Sequence, residues 1–261
     1  MDKQELIKDR ISLKSKFVWL ENSQVKTDQD LGFPKPTIFK VYEKYEYIFE
    51  LPKPKADTLQ MNQLFEVIEK RKSVRQFTDT PLSIDELSFL LWATQGVRVL
   101  GPDDAYSRRI VPSGGSRHTF ETYLAIHNVT DIQPGIYHYL PKTHQIGLLF
   151  KDPDMQAHII AFAKRQEFVA KCAVTFIWSC IPYRAEWRYH WESHKMILMD
   201  AGHVCQNLYL AAESINAGTC AIGAYDQEYA DKYLHLDSNE EFVIYAAPVG
   251  KVQSLSIQDR K

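Results

Sequence analysis

The chain has 261 residues, of which 45% are hydrophobic and 25% are charged, so it is long enough to bury a substantial core. Its formal net charge of −2 provides no basic field for nucleic acid, and we expect no nucleic-acid partner. Because the first ten residues mix both charge signs and no apolar stretch is long enough to span a bilayer, we expect a cytoplasmic protein without a membrane partner.

Proline residues punctuate the first part of the chain and favour an extended arm. They bracket the aromatic-rich stretch 38–49, at positions Pro34, Pro36, Pro52 and Pro54. So many aromatic side chains favour packing on another surface over exposure to solvent. We therefore predict that residues 1–57 form an N-terminal arm that packs on a partner subunit, and that residues 58–261 form the main domain.

A basic segment ends a predicted helix over residues 58–72, whose positions 64, 65, 67 and 68 mark one apolar face. Arg71, Lys72, Ser73 and Arg75 place three cations and a hydroxyl within five residues. Arginine supplies a fixed fork of N–H donors and lysine a point charge, so this cluster can hold a phosphate. The alternative is a solvated basic helix end.

The next helix has a strong start signal. Ser83 is predicted to cap its N-terminus in a capping box with Glu86, and Gly96 is predicted to end it. The basic segment therefore lies on a connection between two packed helices, where binding residues are often found.

A glycine-rich stretch occupies residues 111–118. Gly114 and Gly115 let a backbone come close to a flat or charged ligand, and the flanking Ser113 and Ser116 add hydroxyl donors. No G-K-[ST] follows, so it is not a P-loop, and the chain has no G-x-G-x-x-G on which to base a Rossmann site. The alternative is a plain turn.

The remaining predicted elements alternate loosely between strand and helix. We expect strands over 122–127, 136–139, 173–178, 219–222 and 241–251, and helices over 153–171 and 194–216, the latter ended by Gly218. Three basic and four aromatic side chains crowd residues 182–191, which suits either a substrate pocket or a subunit interface. The predicted fold class is α+β, a small sheet covered by helices.

Metal and nucleophile chemistry find little support. His190 and His194 share i, i+4 spacing but lack the H-E-x-x-H arrangement, so we predict no metal site. The four cysteines form no C-x-x-C pair and are expected to be reduced and buried. No G-x-S-x-G elbow occurs, which disfavours a hydrolase.

Five motifs in order carry a resemblance to a known family. They are R-K-S-V-R at 71–75, P-S-G-G-S-R at 112–117, P-G-I-Y-H-Y at 134–139, D-A-G-H-V-C-Q-N-L-Y-L-A-A-E at 200–213 and A-I-G-A-Y-D at 221–226. Together they resemble the FMN-dependent nitroreductase superfamily, and within it the SagB-type dehydrogenases. The resemblance implies a nitroreductase-like α/β/α sandwich with a small, mostly antiparallel sheet, in an intertwined homodimer.

The resemblance also implies FMN as the cofactor and assigns residues to it. Its phosphate and ribityl chain would be held by Arg71, Lys72, Ser73 and Arg75, with Lys251 as a further cation. Pro112, Ser113, Gly114 and Ser116 match the loop that reaches the flavin from the other subunit. Ala221, Ile222, Gly223 and Ala224 match the strand and turn whose N–H groups face the reactive edge of the ring.

The chemistry implied is two-electron hydride transfer to flavin N5. SagB-type enzymes that modify peptides oxidise azolines to azoles, with a Lys-Tyr pair as the base. This sequence has Arg188 where that lysine is expected, and arginine does not deprotonate at working pH. Arg188 is left to bind an anionic group or to stabilise a developing charge, and Tyr189 is the candidate acid or base.

Three functional hypotheses follow from the resemblance. The first is an FMN-dependent dehydrogenase of a biosynthetic pathway, acting on a peptide-derived azoline or a related small molecule with pathway partner proteins. The second is a nitro or quinone reductase that uses NAD(P)H. The third, from another class, is a non-catalytic scaffold that retains the fold.

Overall fold

The computed structural model describes residues 13–15, 25–42 and 44–253. Its strands are β1 Tyr47–Glu50, β2 Val97–Leu100, β3 Ser107–Arg109, β4 Phe120–Ile126, β5 Gly135–Leu140, β6 Gln145–Phe150, β7 Val174–Cys180, β8 Ala217–Thr219 and β9 Phe242–Lys251. Its α-helices are α1 Leu64–Lys70, α2 Ile84–Gln95, α3 Met155–Phe162, α4 Tyr183–Tyr189, α5 Ser193–Ser214 and α6 Gln227–Tyr233. No helix among these residues is long and apolar enough to cross a membrane.

Seven strands form one sheet in the order β1-β6-β5-β4-β7-β9-β8, and every neighbouring pair is antiparallel. The central strands β4 and β7 are buried along their whole length. Because successive side chains in a strand point to opposite faces, Leu124 and Ile126 enter one apolar core while Tyr123 and Ala125 enter another. Strands β2 and β3 form a separate hairpin.

Helices cover both faces of the sheet. Helices α2 and α5 pack on one face and contribute Leu90, Leu91 and Leu208 to its core, each fully buried. Helices α3 and α6 cover the other face, where Ile159 and Ala230 are buried. The three-layer arrangement and the antiparallel sheet confirm the predicted sandwich, while the homodimer stays a prediction.

The described part of the arm lies against its own chain. Strand β1 forms one edge of the sheet beside β6, pairing Tyr47 with Leu148. Upstream of it, the carbonyls of Thr37 and Ile38 accept hydrogen bonds from the buried side chains of Arg184 and Arg109 at 2.9 and 3.3 Å. Contact of residues 1–57 with a partner subunit, and the division of domains at residue 58, stay predictions, and residues 1–12 lie outside the described part.

Several element boundaries differ from the predictions. The capping box of Ser83 and Glu86 and the end of α2 at Gly96 are confirmed. Helix α5 ends at Ser214, and Gly218 lies inside β8 instead of ending the helix. The helix predicted over 153–171 is shorter, because α3 stops at Phe162 and a separate 3-10 turn covers Glu167–Ala170. The helix predicted over 58–72 is also shorter, since α1 spans only Leu64–Lys70. Strands β1, β2, β3 and β6 and helices α4 and α6 were not predicted.

Candidate functional site

The basic segment is fixed as an extended strip along β8. Arg71 caps the C-terminus of α1, donating its N–H to the Val67 carbonyl at 3.1 Å. Beyond it, Val74 donates to the Thr219 carbonyl at 2.9 Å, and Ser73 forms a parallel bridge with Thr219. The predicted phosphate cluster is therefore held next to the chain that leads into residues 221–224.

Tyr209 of helix α5 joins these two segments. Its hydroxyl lies 3.0 Å from Ser73 Oγ and accepts the Ala221 N–H at 2.8 Å. The guanidinium of Arg71 stands 5.3 Å from the centre of the Tyr209 ring. Sequence reasoning missed this residue, although it lies within the 200–213 motif that carries the resemblance.

The cations of the basic segment have no acidic partner in ion-pair contact among the residues that the structure describes. Lys70, the residue just before this segment, pairs with Glu66 one turn earlier. Lys72, Ser73 and Arg75 are exposed and Arg71 is half-buried. Burial raises the pKa of the nearby Glu213, and Lys72, Lys70 and Arg71 oppose that rise. The strip can therefore bind an oxyanion without first breaking an ion pair.

The 221–224 turn offers two free backbone donors instead of four. The Ala221 N–H is used by Tyr209, and Ile222 donates to the Ala246 carbonyl at 2.7 Å. Gly223 and Ala224 are exposed, and their N–H groups have no acceptor within the described chain. A Cβ added at Gly223 would meet no atom within 4 Å, so the space in front of this turn is open.

Lys251 is engaged elsewhere. Its ammonium pairs with Glu86 of α2 and donates to the Ile215 carbonyl at 2.7 Å. These contacts satisfy the charge within the chain, so we leave Lys251 out of the proposed phosphate site.

The predicted loop at 112–116 is held by the other half of helix α5. Gly114 donates its N–H to the Asp200 carboxylate at 3.1 and 3.3 Å, and Ser113 Oγ accepts the His118 N–H at 2.9 Å. Burial raises the pKa of Asp200, while hydrogen bonds from Ser113 and Gly114 oppose the rise. Asp200, which sequence reasoning did not single out, anchors this loop.

The same loop contacts the two candidate catalytic residues on α4. The Tyr189 hydroxyl packs so closely on Gly115 that an added Cβ would collide with it, and Gly115 has φ +58°. Arg188 is exposed and stacks with its guanidinium 5.4 Å from the Tyr189 ring centre. Loop 112–116, Arg188 and Tyr189 therefore form one half-site.

The predicted residues thus fall into two groups along α5. The basic segment and the 221–224 turn meet at Tyr209, whereas the loop meets α4 and Asp200. Nine residues separate Asp200 from Tyr209, about 13 Å along a helix. Among the described residues no cluster of three or more His, Cys, Asp or Glu side chains is arranged to hold a metal, and His194 pairs with Glu186 at 2.6 Å.

Comparisons with known proteins agree on one family. The model of the Nitroreductase family matches residues 68–251. A protein of Methanocaldococcus jannaschii named as a nitroreductase is 30% identical over 188 residues, which cover 72% of this chain and 90% of that protein. The microcin B17-processing protein McbC of Escherichia coli is 26% identical over 140 residues, and this match spans 52% of each protein, about half of McbC.

Solved structures show the same fold. One from Ralstonia eutropha, named as a nitroreductase, superposes with a TM-score of 0.64 at 22% identity, covering 85% of this chain and all of that one. A chain of the E. coli microcin synthetase McbBCD complex with truncated pro-MccB17 bound gives a TM-score of 0.58 at 21% identity. That match covers 97% of this chain and 95% of the other.

Proposed function

Because the chain belongs to the nitroreductase family, we propose that it is an FMN-dependent oxidoreductase. The observation that carries this proposal is the strip of Arg71, Lys72 and Arg75. These cations have no ion-pair partner in the part of the chain that the structure describes, and Tyr209 joins the strip to the open turn at Gly223 and Ala224. A phosphate-bearing flat cofactor needs charge at one end and small, donor-bearing backbone at the other, and this arrangement supplies both.

The residues fit the two ends of the cofactor differently. Arg71, Lys72, Ser73 and Arg75 would bind the phosphate and ribityl chain, since all four present donors and none forms an ion pair with a described residue. The N–H groups of Gly223 and Ala224 would face the ring, with Ala221 and Ile222 fixing the turn behind them. When bound, FMN supplies two-electron hydride transfer at its N5.

A second copy of the chain would complete the site. Loop residues Pro112, Ser113, Gly114 and Ser116 would reach the flavin bound by the partner, because within one chain they lie in the other group. Exposed apolar side chains support a subunit interface: Leu64, Phe65 and Ile68 on α1 and Leu198 and Met199 on α5 are each more than half exposed. The arm 1–57 would pack on the same homodimer.

The substrate proposal rests on the resemblance to SagB-type dehydrogenases and on the likeness to McbC, a protein named for peptide processing. In this proposal the enzyme oxidises a peptide-derived azoline or a related heterocycle and acts together with pathway partner proteins. Tyr189 would hold or move the substrate proton, because it adjoins the loop that closes on the flavin. Arg188 stays protonated and would orient an anionic group.

A second candidate, NAD(P)H-dependent reduction of nitro compounds or quinones, is supported by Arg188 standing where the azoline-oxidising enzymes use lysine. The 30% identity to a protein named as a nitroreductase favours it as well. A retained fold without catalysis is the third alternative, and it requires that FMN not bind.

A reduction experiment separates these functions. FMN-loaded protein is mixed anaerobically with NADH, with NADPH or with a thiazoline-containing peptide, and loss of flavin absorbance is followed. A dehydrogenase of heterocycles is bleached by the peptide, whereas a nitro or quinone reductase is bleached by the nicotinamide cofactor.

The Tyr189→Phe variant tests the proton-transfer role. It should bind FMN with an unchanged spectrum and be bleached by the peptide about 100-fold more slowly, the usual contribution of a positioned acid or base. An unchanged rate would remove Tyr189 from the mechanism.

A further inference from the structure

We propose that Lys35, Arg117 and Arg188 form a binding site for the carboxylate of an anionic substrate, beside Tyr189. The proposal rests on the proposed function, since it names the class of substrate that this half-site would take. Neither the family relationship nor the cofactor assignment requires such a site.

Arg117 is a buried cation with an unused donor. It is only 3% exposed, donates from Nε to the Arg184 carbonyl at 2.5 Å, and lies 5.3 Å from the centre of the Trp187 ring. Its Nη2 atom is buried and has no hydrogen-bond partner within the described chain. A buried guanidinium without a counter-charge is costly, and an anion that covers it removes that cost.

Lys35 and Arg188 add positive charge at the same place. Both are exposed, so a ligand can reach them from solvent. Burial lowers the pKa of Lys35, and the two charged groups that lower it further, Arg117 and Arg188, are both cations. Burial also lowers the pKa of Arg117, followed by the effect of Arg188. The geometry agrees: the Phe33 carbonyl, two residues before Lys35, accepts the Trp187 indole N–H at 2.9 Å, and Arg117 stands over the same ring, whose neighbour in sequence is Arg188.

No carboxylate of the described chain forms an ion pair with these three cations. Three acids on the neighbouring elements already have other partners. Glu121 binds Arg184 at 2.6 Å, Glu186 binds His194 at 2.6 Å, and Asp28 accepts the Tyr183 hydroxyl at 2.8 Å. The described residues therefore give these three cations no ion-pair partner, and an anionic ligand can supply one.

The position of the site defines what its ligand does. Arg188 stacks on Tyr189, and Tyr189 packs on Gly115 of the loop that would close on the flavin. Lys35 donates to the Ala105 carbonyl at the tip of the β2–β3 hairpin, so the hairpin borders the site. A planar carboxylate matches the fork of an arginine, and a substrate held there by its carboxylate places its remaining atoms toward Tyr189.

Two probes of the same shape test the charge requirement. Binding of 4-nitrobenzoate and of the neutral 4-nitrobenzamide to FMN-loaded protein is measured by calorimetry without a reductant, after the flavin content of each sample has been determined. We expect the carboxylate to bind about tenfold or more tightly than the amide, as a charge-assisted pair provides. Equal affinities, or no measurable binding of 4-nitrobenzoate, would overturn the proposal.

Variants test whether Arg188 and Lys35 produce the preference for the carboxylate over the amide. Arg188→Gln and Lys35→Gln should each reduce the preference for the carboxylate several-fold, and together abolish it, with the flavin content unchanged. Lys232→Gln removes an exposed positive charge from α6 on the far layer and should keep the full preference. If the double variant retains the preference, or if it alters only the choice between NADPH and NADH, the carboxylate site is wrong. Loss of FMN in the wild type would instead count against the proposed function.

Discussion

At the residue scale, Tyr209 has the largest consequence for the site. Its one hydroxyl contacts Ser73 on the basic strip and the Ala221 N–H on the turn, two segments about 150 residues apart in sequence. A single side chain therefore sets the spacing between the charge and the backbone donors that FMN would bridge.

Replacing this hydroxyl should weaken FMN binding more than it weakens the fold. Tyr209→Phe removes the hydroxyl that joins the strip to the turn, so the Kd for FMN, measured by fluorescence titration, should rise about tenfold, which corresponds to about 1.4 kcal/mol. Tyr233→Phe is the matched control, because its hydroxyl donates to the Asp152 carboxylate at 2.7 Å, away from the strip and the turn. Equal FMN affinity in the two variants would remove Tyr209 from the site.

A buried histidine makes stability depend on pH. Both ring nitrogens of His127 are buried and find no hydrogen-bond partner among the described residues, and burial lowers the pKa of this histidine to about 4. The unfolded chain, with a histidine pKa of about 6.5, binds the proton first, so stability is full above that value and is lost as the pH falls toward 4.

His127→Phe should remove that loss. The free energy of unfolding, measured in urea, is compared at pH 7.5 and pH 4.5. Its fall between the two pH values should be about 2 to 3 kcal/mol smaller in the variant than in the wild type. His235→Phe, at an exposed position, is the control. The same pH dependence in His127→Phe and the wild type would contradict the assignment.

At the element scale, local sequence signals predicted the features that depend on residues close together in the chain, such as helix capping and apolar spacing. The capping box of α2 and the apolar spacing of α5 were readable from the sequence and are confirmed within two residues at the helix starts. Strand β6 was missed because Gly147 interrupts its pattern. That glycine is required by a distant contact, since a Cβ there would collide with the ring of Tyr45.

Other elements depend on contacts with distant segments, and the local sequence pattern does not reveal those contacts. The apolar face of α1 was expected to be buried, yet only Val67 is, while Phe65 is 76% exposed. The sequence of residues 182–191 suited either a substrate pocket or a subunit interface. In the structure the described arm residues lie against α4, where the Phe33 carbonyl accepts the Trp187 indole N–H at 2.9 Å. Tertiary contacts of this kind leave no periodic signal in the sequence.

The contact between the loop and α4 can be tested through Gly115. Gly115→Ala introduces a Cβ at φ +58° that collides with the Tyr189 hydroxyl, and should lower the free energy of unfolding by about 1 to 3 kcal/mol. In a Tyr189→Phe background part of this loss should disappear, because the hydroxyl clash is removed, while the backbone strain and the ring carbons at 2.9 and 3.0 Å from the added Cβ remain.

Gly223→Ala is the control for that substitution, since its Cβ enters open space and should change stability by less than about 0.5 kcal/mol. Strictly additive effects of Gly115→Ala and Tyr189→Phe in urea unfolding would mean that the two residues do not interact.

At the scale of the whole molecule, the sandwich explains why the proposed site is divided. Helix α5 packs on the sheet through its buried face and presents its two halves to different segments, the loop near Asp200 and the basic strip near Tyr209. The family resemblance predicted both segments, but the sequence could not reveal that Asp200 and Tyr209 hold them. It also could not reveal that Lys251 is bound by Glu86.

The central claim is that this arrangement binds FMN, and the visible absorption spectrum of the purified protein tests it most directly. We predict oxidised-flavin bands, with FMN identified by mass after heat release, and a folded but colourless Arg71→Gln/Arg75→Gln variant. Lys171→Gln/Lys232→Gln, which removes two positive charges elsewhere, should keep the colour. A wild-type protein that is colourless and rejects added FMN, or an arginine variant that retains a full complement of FMN, would contradict the account.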